Sequence, residues 1–280
     1  MEALQEIQKR LGLDTMSSLS PLEWEQFRVD DWNKTVGNEN ERDGYDCPIC
    51  LNRTTIAKLV DHGNGKYSHC FADCKCKEIR RSIMRMKRSG LKDIIKDYTF
   101  DKFIDTEPWQ KTVKAAAMEY AKDPQGWFYM GGQVGAGKTH LCTAICREFL
   151  LSGKKVLYML WRDEIVKLKA NVNDAAAYSA LIDKYKTADV LYIDDLFKTG
   201  KTADQQYQKP TQADVNAAFE IINYRYNNPS LLTIISSELS EDELLDIDEA
   251  VGSRIYERAK AITIGRDRSR NYRIRKAVTL

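Results

Sequence analysis

The chain has 280 residues, 43% hydrophobic and 30% charged, with 43 Lys and Arg against 41 Asp and Glu. That apolar fraction supports one large or two ordinary packed domains and excludes wholesale disorder. No apolar run approaches the ~20 residues that cross a bilayer, and Met1–Arg10 has no apolar leader segment, so neither a transmembrane nor a secreted protein is expected.

Met1–Leu13 sets Leu4, Ile7 and Leu11 at helical spacing. Ser20-Pro21 has the form of an N-cap followed by proline at the first helical position, opening a second helix that carries Trp24 and Phe27. Asn38–Gly44 is polar and reads as loop, and a cysteine-rich stretch then runs to Cys76. Lys77–Arg88 reads as a basic helix with Ile79, Ile83 and Met86 on one side, closed by Ser89-Gly90. Tyr98–Glu107 is a connector of mixed composition. From Pro108 the pattern changes. Helices are expected over Trp109–Ala121, Thr139–Leu151, Arg162–Ala170, Ala175–Lys186, Thr211–Tyr226, Glu241–Leu245 and Glu249–Lys260. Strands are expected over Gly126–Met130, Lys155–Leu160, Val190–Ile193, Leu231–Ile235 and Ala261–Ile264. Strands alternating with helices of ten or more residues make βαβ units and a parallel sheet, an α/β fold. The expected organisation is an N-terminal module over residues 1–92, a linker over 93–107 and an α/β domain over 108–280.

Gly132-Gln133-Val134-Gly135-Ala136-Gly137-Lys138-Thr139 fits G-x-x-x-x-G-K-[ST], with an expected strand before it and a helix after it. Glycines let such a loop wrap phosphates with its N–H groups, and the helix N-terminus adds partial positive charge. Lys138 is expected to reach the β- and γ-phosphates, and Thr139 to take one place on Mg²⁺. Val190-Leu191-Tyr192-Ile193 ends in Asp194-Asp195, at the strand end where open α/β sheets bind ligands. Asp194 is expected to hold Mg²⁺, directly or through water, and Asp195 to orient or deprotonate the attacking water. The strand Leu231–Ile235 ends in Ser236-Ser237-Glu238, which offers a polar group to the same place.

Five of the seven cysteines lie between residues 47 and 76. In a chain with no export signal, clustered cysteines read as metal ligands before disulfides. Cys47-x2-Cys50 and Cys70-x3-Cys74-x-Cys76, with His62 and His69 nearby, suit a closed structural zinc site. Five cysteines for four places leave the set open at this point. Cys142 and Cys146, four residues apart on the phosphate-loop helix, read as small buried hydrophobes.

Two stretches are strongly basic. Lys75, Lys77, Arg80, Arg81, Arg85, Lys87, Arg88 and Lys92 face Glu78 alone, and Arg266, Arg268, Arg270, Arg273, Arg275 and Lys276 face Asp267. Each is either a track for a phosphate backbone or a solvated face, and nucleotide sensing competes for the second. Trp161, Tyr178 and Tyr272 are candidates for stacking on bases. Trp24 and Trp32, with Leu4, Ile7 and Leu11, suit either a partner groove or the module's own core.

The segments GGQVGAGKTHLC, VLYIDDLFK, TIISSEL and DEAVGSRIYER resemble the AAA+ ATPases and, within them, helicase loaders of the DnaC/DnaI type, particularly phage-encoded ones. The resemblance runs over about residues 45–275. It implies a P-loop AAA+ parallel sheet flanked by helices behind a small helical, zinc-binding and helicase-binding module. It implies a cytoplasmic ATPase, weak in isolation, that uses ATP/ADP, Mg²⁺ and structural Zn²⁺. The implied partners are a hexameric replicative helicase and single-stranded DNA, with a DNA contact within Arg162–Lys186. Gly132–His140 would hold the nucleotide, and Lys138, Asp194 and Asp195 would act on it. Ser237, with Ser236 as the neighbouring option, would be sensor 1. Arg254 would be an arginine finger given to a neighbouring copy, making self-association part of the site. Sensor 2 would be a basic residue within Arg270–Arg273, both ends being candidates. Such loaders carry C-x-C as the second thiol pair, which implies Cys47, Cys50, Cys74 and Cys76 as zinc ligands, with Cys70 or His69 as the alternative. Two departures stand out: Asp195 where many relatives carry Glu, and serines where many carry Asn or Thr. An IstB-like transposition ATPase shares the same core and is the nearest alternative. A P-loop phosphotransferase, or a nucleotide-binding module with little hydrolysis, comes after it.

Overall fold

The computed structural model describes residues 19–86, 94–199 and 209–275. The expected helix over Met1–Leu13, the Ser89-Gly90 stop, and Lys87, Arg88, Lys92 and Lys276 lie outside these. The chain divides into two compact units, Met1–Lys77 and Glu78–Leu280.

In the first unit, helix α1 (Pro21–Lys34) opens as expected. The Ser20 side chain accepts the Glu23 N–H while Glu23 reaches back to the Ser20 backbone, which satisfies donors that a helix start leaves orphaned. Asn40–Asp43 is a short helical turn rather than a loop, ended by Gly44 at φ +77°. Two strands follow that the sequence reading lacks. Strands β1 (Thr55–Asp61) and β2 (Tyr67–Asp73) form an antiparallel hairpin, paired from Thr55↔Asp73 to Asp61↔Tyr67. Helix α1 lies on it. Asn33 exchanges two hydrogen bonds of 3.0 Å with the backbone of Ala57, and Trp32 packs 4.4 Å from the Phe71 ring with the Arg53 guanidinium 3.5 Å over its face. Trp32 is thus packed within the module, half-buried between Phe71 and Arg53.

Helix α2 (Cys76–Met86) carries the division between the units. The second unit continues with the short turn Ile94–Asp97, then helix α3 (Pro108–Lys122), β3 (Trp127–Gly132), α4 (Lys138–Leu151), β4 (Val156–Leu160), α5 (Trp161–Ala170), α6 (Ala175–Thr187), β5 (Val190–Asp194), α7 (Gln212–Tyr226), β6 (Leu232–Ser236), α8 (Glu241–Ile247), α9 (Glu249–Arg258) and β7 (Ala259–Ile264). The five strands form one parallel sheet in the order β4-β5-β6-β3-β7. β3 and β5 are buried along their whole length, as helix-covered parallel strands must be. Trp127, Tyr129, Leu191, Ile193, Ile221 and Ile222 sit in the main core, and Cys142 and Cys146 are fully buried on α4. Among the described residues no helix is long and apolar enough to cross a membrane. This topology brings the C-terminal ends of β3, β5 and β6 side by side, and the phosphate loop, Asp194, Asp195, Ser236 and Ser237 sit there.

Candidate functional site

The phosphate loop leaves β3 and enters α4 through Gly137, whose φ of +91° favours glycine. A Cβ there would lie 2.7 Å from the Phe103 ring, and one on Gly135 (φ +70°) would lie 2.1 Å from Asn271 Oδ1. The loop therefore has walls on two sides. One is residues 98–104, read from sequence as a mere connector. Tyr98 stacks on His140 at 4.5 Å, Phe103 meets it edge-on at 5.3 Å, and His140 donates Nε2–H to the Thr99 carbonyl at 2.8 Å. Burial pushes the His140 imidazole below its ordinary pKa, with the Thr99 contact opposing. The other wall is the segment after β7. Asp267 N–H donates to Gln133 Oε1 (2.9 Å), and Tyr272 N–H donates to the Gly135 carbonyl (3.0 Å). Tyr272 O–H donates to the Ile104 carbonyl (2.5 Å) while accepting from Gln110 Nε2 (2.6 Å). A base-stacking role for Tyr272 gives way to this bracing role.

Between these walls is a cleft of about 330 Å³ whose lining includes Phe103, Ile104, Val134, Gly135, Gly137, Lys138, Thr139, Asp195, Lys198, Glu238 and Arg273. Lys138 Nζ donates to the Gly132 (2.8 Å) and Gln133 (2.7 Å) carbonyls. Burial pushes its pKa down to about 8, with Glu238 and Asp195 opposing. Thr139 Oγ1 donates to Asp194 Oδ1 at 3.1 Å, which joins the two expected Mg²⁺ residues across the sheet. Asp194 also accepts from Tyr158 (2.9 Å), Tyr192 (2.8 Å) and, at short range, Ser236. Burial raises the Asp194 pKa, Asp195 adds to the rise, and the hydroxyls oppose it. Sequence reasoning missed both tyrosines. Their signal is the matched register Tyr158↔Tyr192 on neighbouring strands, which appears only once the strands are paired.

Of the two serines offered for sensor 1, it is Ser236, the neighbouring option, that contacts the acidic pair. Ser237 Oγ donates to the Leu196 carbonyl (2.8 Å) and accepts the Leu239 N–H (3.2 Å), so this fully buried hydroxyl is spent on the backbone. Ser236 is the one that touches Asp194 and accepts the Asp195 N–H (3.1 Å). Asp195 itself is ion-paired with Lys198 (2.8 Å), which also reaches Glu238 (2.9 Å). Of the two sensor-2 candidates, Arg273 lines the cleft, whereas Arg270 lies 5.5 Å over the Trp109 ring with Asp267 at 3.9 Å.

Arg254 is not among the cleft-lining residues. Its Nε donates to Asn223 Oδ1 (3.1 Å), its Nη1 to the Ala250 carbonyl (2.6 Å), and its guanidinium lies 5.1 Å over Phe219 and 5.5 Å over Tyr226.

Residues 72–277 match a family model described as IstB-like ATP binding protein. The chain belongs to that family. It is 36% identical over 195 residues to the uncharacterized protein YqaM of Bacillus subtilis strain 168, a match covering 66% of this chain and 59% of the relative. It is 31% identical over 232 residues to the phage-like element PBSX protein XkdC of the same organism, covering 78% and 81%. It is 25% identical over 177 residues to the replicative helicase loader DnaC of Escherichia coli strain K12, covering 62% and 67%. A crystal structure of the DnaC helicase loader superposes with a TM-score of 0.52 at 20% identity, over 61% of this chain and 99% of that one, a likeness of fold. The chain thus spans about three fifths of YqaM's length and most of XkdC's. The IstB/DnaC type of AAA+ ATP-binding domain accounts for the cleft, the loop and the sheet.

The family match takes in Cys74 and Cys76 but begins after Cys50. The structure nevertheless brings all four together: the Sγ atoms of Cys47, Cys50, Cys74 and Cys76 lie within 4.8 Å of one another, all buried. Cys47 N–H donates to Asn52 Oδ1 (2.8 Å), and Cys74 N–H to the Thr54 carbonyl (2.8 Å), which fixes the two halves of the knuckle. None of the four is in a disulfide. Four converging, buried thiols are a donor set that suits tetrahedral zinc. Cys70 is exposed on β2, and His69 is bonded to Glu25 at 2.7 Å, so neither alternative ligand joins the cluster.

The surfaces read as nucleic-acid tracks are less free than their sequences suggest. Arg80 is buried rather than solvated, Lys77 pairs with Asp73, and Arg81 pairs with Glu78. Arg266 pairs with Glu243. On α5 and α6, Lys167 and Lys184 both pair with Glu164, Lys169 pairs with Asp214, and Lys186 pairs with Asp183 and Glu220. Trp161 is buried against Phe197 at 5.5 Å and cannot stack on a base. Tyr178 is half-buried and donates to Glu220.

Proposed function

We propose that this chain is a cytoplasmic, ATP-dependent loader that binds a hexameric replicative helicase and single-stranded DNA, with ATP binding and hydrolysis timing loading and release. The supporting observation is the divided site. Lys138, Thr139, Asp195 and Arg273 line one cleft, with Asp194 bonded to Thr139 and Ser236 bonded to Asp194 behind it, while Arg254 is held elsewhere on the same chain. Such a cleft is completed by an arginine from a second copy, which links turnover to assembly. The E. coli relative is a replicative helicase loader by name, and the thiol module precedes the ATP-binding domain as the reading requires. That module, within residues 1–92, would bind the helicase, and the ATPase over 108–280 would take in Tyr98, Phe103 and Ile104 of the expected 93–107 linker, because they wall its cleft.

In this reading the loop N–H groups from Gly132 to His140 cradle the phosphates. Lys138 leaves its two backbone carbonyls for the β- and γ-phosphates. Thr139 and Asp194 would hold Mg²⁺, which supplies positive charge against the phosphate oxygens. Ser236 holds the Asp194 carboxylate and the Asp195 backbone in register, so that Asp195 faces the water attacking the γ-phosphate. Cys47, Cys50, Cys74 and Cys76 would hold Zn²⁺, which pins the knuckle to the hairpin. A second reading, a transposition ATPase, is favoured by the IstB-like family model. Co-sedimentation with a hexameric replicative helicase on single-stranded DNA, beside ATP turnover by wild type, Lys138→Ala and Arg254→Ala, separates the two. A helicase complex whose turnover needs both residues supports the loader. Turnover without any helicase complex removes that function and leaves the ATPase.

A further inference from the structure

Lys198 is a cation at the site that neither the loop motif nor the acidic pair accounts for. It stands at the end of a turn in which two non-glycine residues, Asp195 and Phe197, take φ of +58°. That conformation costs about a kcal/mol or more each and persists only where the surroundings impose it. Here they do. Asp195 N–H is held by Ser236 Oγ (3.1 Å) and Leu196 N–H by the Ser236 carbonyl (2.9 Å). The Leu196 carbonyl is held by Ser237 Oγ (2.8 Å), and Phe197 is locked against Trp161. The strain serves to aim two side chains, Asp195 and Lys198, into the cleft that holds Lys138.

The ammonium of Lys198 lies 2.8 Å from Asp195 Oδ2 and 2.9 Å from Glu238 Oε1, and is only about one third exposed. Burial works against its charge, but the two carboxylates outweigh that and hold its pKa above the ordinary value. Lys138 and Lys198 therefore both face Asp195 and Glu238, in a cleft that Lys102 and Arg273 also line. In the ATP-binding reading the terminal phosphate of a nucleoside diphosphate would sit in the loop against Lys138 and leave Lys198 on its two carboxylates. A third phosphate extends toward Asp195 and Glu238, where it meets like charge. A lysine on a flexible four-carbon stem can turn from those acids to the new phosphate, relieving the repulsion and freeing Asp195 Oδ2 together.

Resting on the ATP-binding reading of this cleft, we propose that Lys198 is the residue by which the site distinguishes a nucleoside triphosphate from a diphosphate. It is clamped on Asp195 and Glu238 when no third phosphate is present and transfers to that phosphate when one is. Asp195 is thus withheld from water until a triphosphate arrives.

The test is equilibrium binding of the full chain, with Mg²⁺, to ADP and to the non-hydrolysable triphosphate AMPPCP, for wild type, Lys198→Met, Lys198→Gln and Lys198→Arg. Losing a charge-assisted contact of this kind is expected to weaken AMPPCP by about tenfold or more. ADP should stay within about twofold, and Lys198→Arg should keep most of the preference. Unchanged AMPPCP affinity in both neutral variants would overturn the proposal, because the ammonium then stays on the acids. Equal weakening of both nucleotides would also overturn it, because Lys198 would then only prop the loop. Wild type binding neither nucleotide would instead remove the ATP-binding reading itself.

Discussion

At the scale of single residues, the charge state of Lys138 ties folding to ligand binding. Burial brings its pKa down to about 8 in the nucleotide-free chain, against about 10.4 when unfolded. Between those values the unfolded chain carries the proton and the folded one does not, so stability attributable to this group rises with pH from about 8 to about 10.4. Below pH 8 the buried charge costs the fold, by up to about 3 kcal/mol. Lys138→Met removes that pH-dependent cost while orphaning the Gly132 and Gln133 carbonyls, so the stability difference between the two should move in favour of wild type, by up to about 3 kcal/mol, between pH 7 and pH 10. Nucleotide affinity moves the other way. The phosphates need the ammonium, so ATP binding by wild type should weaken as pH climbs past 8, and Lys138→Met should bind poorly at every pH. Paired melting and binding titrations across pH 7–10 check both signs.

At the scale of elements, two buried arrangements can be removed selectively. Arg225 is fully buried on α7, where it donates to the carbonyls of Tyr185, Lys186, Ala188 and Leu232 and to Thr233 Oγ1. It ties the end of α6 to the start of β6, and burial lowers its pKa to about 9. Arg225→Met fills the space but orphans those acceptors, at about 1–3 kcal/mol for a buried unsatisfied group. The expected result is a loss of at least about 3 kcal/mol in urea unfolding, with nucleotide affinity kept in the folded fraction. The thiol knuckle gives the second case. Purified protein should carry one zinc per chain by elemental analysis. Cys74→Ser should lose it, and Cys70→Ser should keep it, since Cys70 is exposed and apart from the other four. Equal zinc in wild type and Cys74→Ser would remove the metal from the module.

These elements also show what could be read in advance. The parallel sheet was legible because each strand is a short apolar run and each helix has its own period, both local signals. The hairpin β1–β2 was not, because its faces are only partly buried and its alternation is weak. The His62-Gly63-Asn64-Gly65 turn was its available mark. Two adjacent serines at the end of β6 cannot be ranked from sequence, since neighbouring side chains of a strand point to opposite faces and only the register with β3 and β5 decides. Trp161 misled for a related reason: at the first turn of a helix an aromatic reads as exposed, and the core that covers it comes from Phe197, far along the chain. Likewise, Tyr98 and Phe103 looked like linker because what they pack against, His140, is distant in sequence.

At the scale of the whole molecule, the separation of Arg254 from the cleft has a consequence for mixtures. Asn223, the Ala250 carbonyl and the faces of Phe219 and Tyr226 fix the guanidinium in place, so little side-chain freedom remains to be lost when it engages a phosphate. If it engages the cleft of a second copy, two inactive proteins should repair one another. Lys138→Ala keeps Arg254 but cannot hold the phosphates. Arg254→Ala keeps the cleft but offers no finger, a loss worth about 10³-fold or more in turnover where such fingers act. Neither should hydrolyse ATP at an appreciable rate in the presence of helicase and single-stranded DNA. Mixed in equal amounts, they create junctions with an intact cleft on one side and an intact arginine on the other. Turnover should then reappear at a sizeable fraction of the wild-type rate and rise with total protein concentration. If Arg254 served its own cleft, each chain would still lack one component and the mixture would stay inactive. A normal rate for Arg254→Ala alone would show that the guanidinium is held where it lies for packing, and that the cleft works without it.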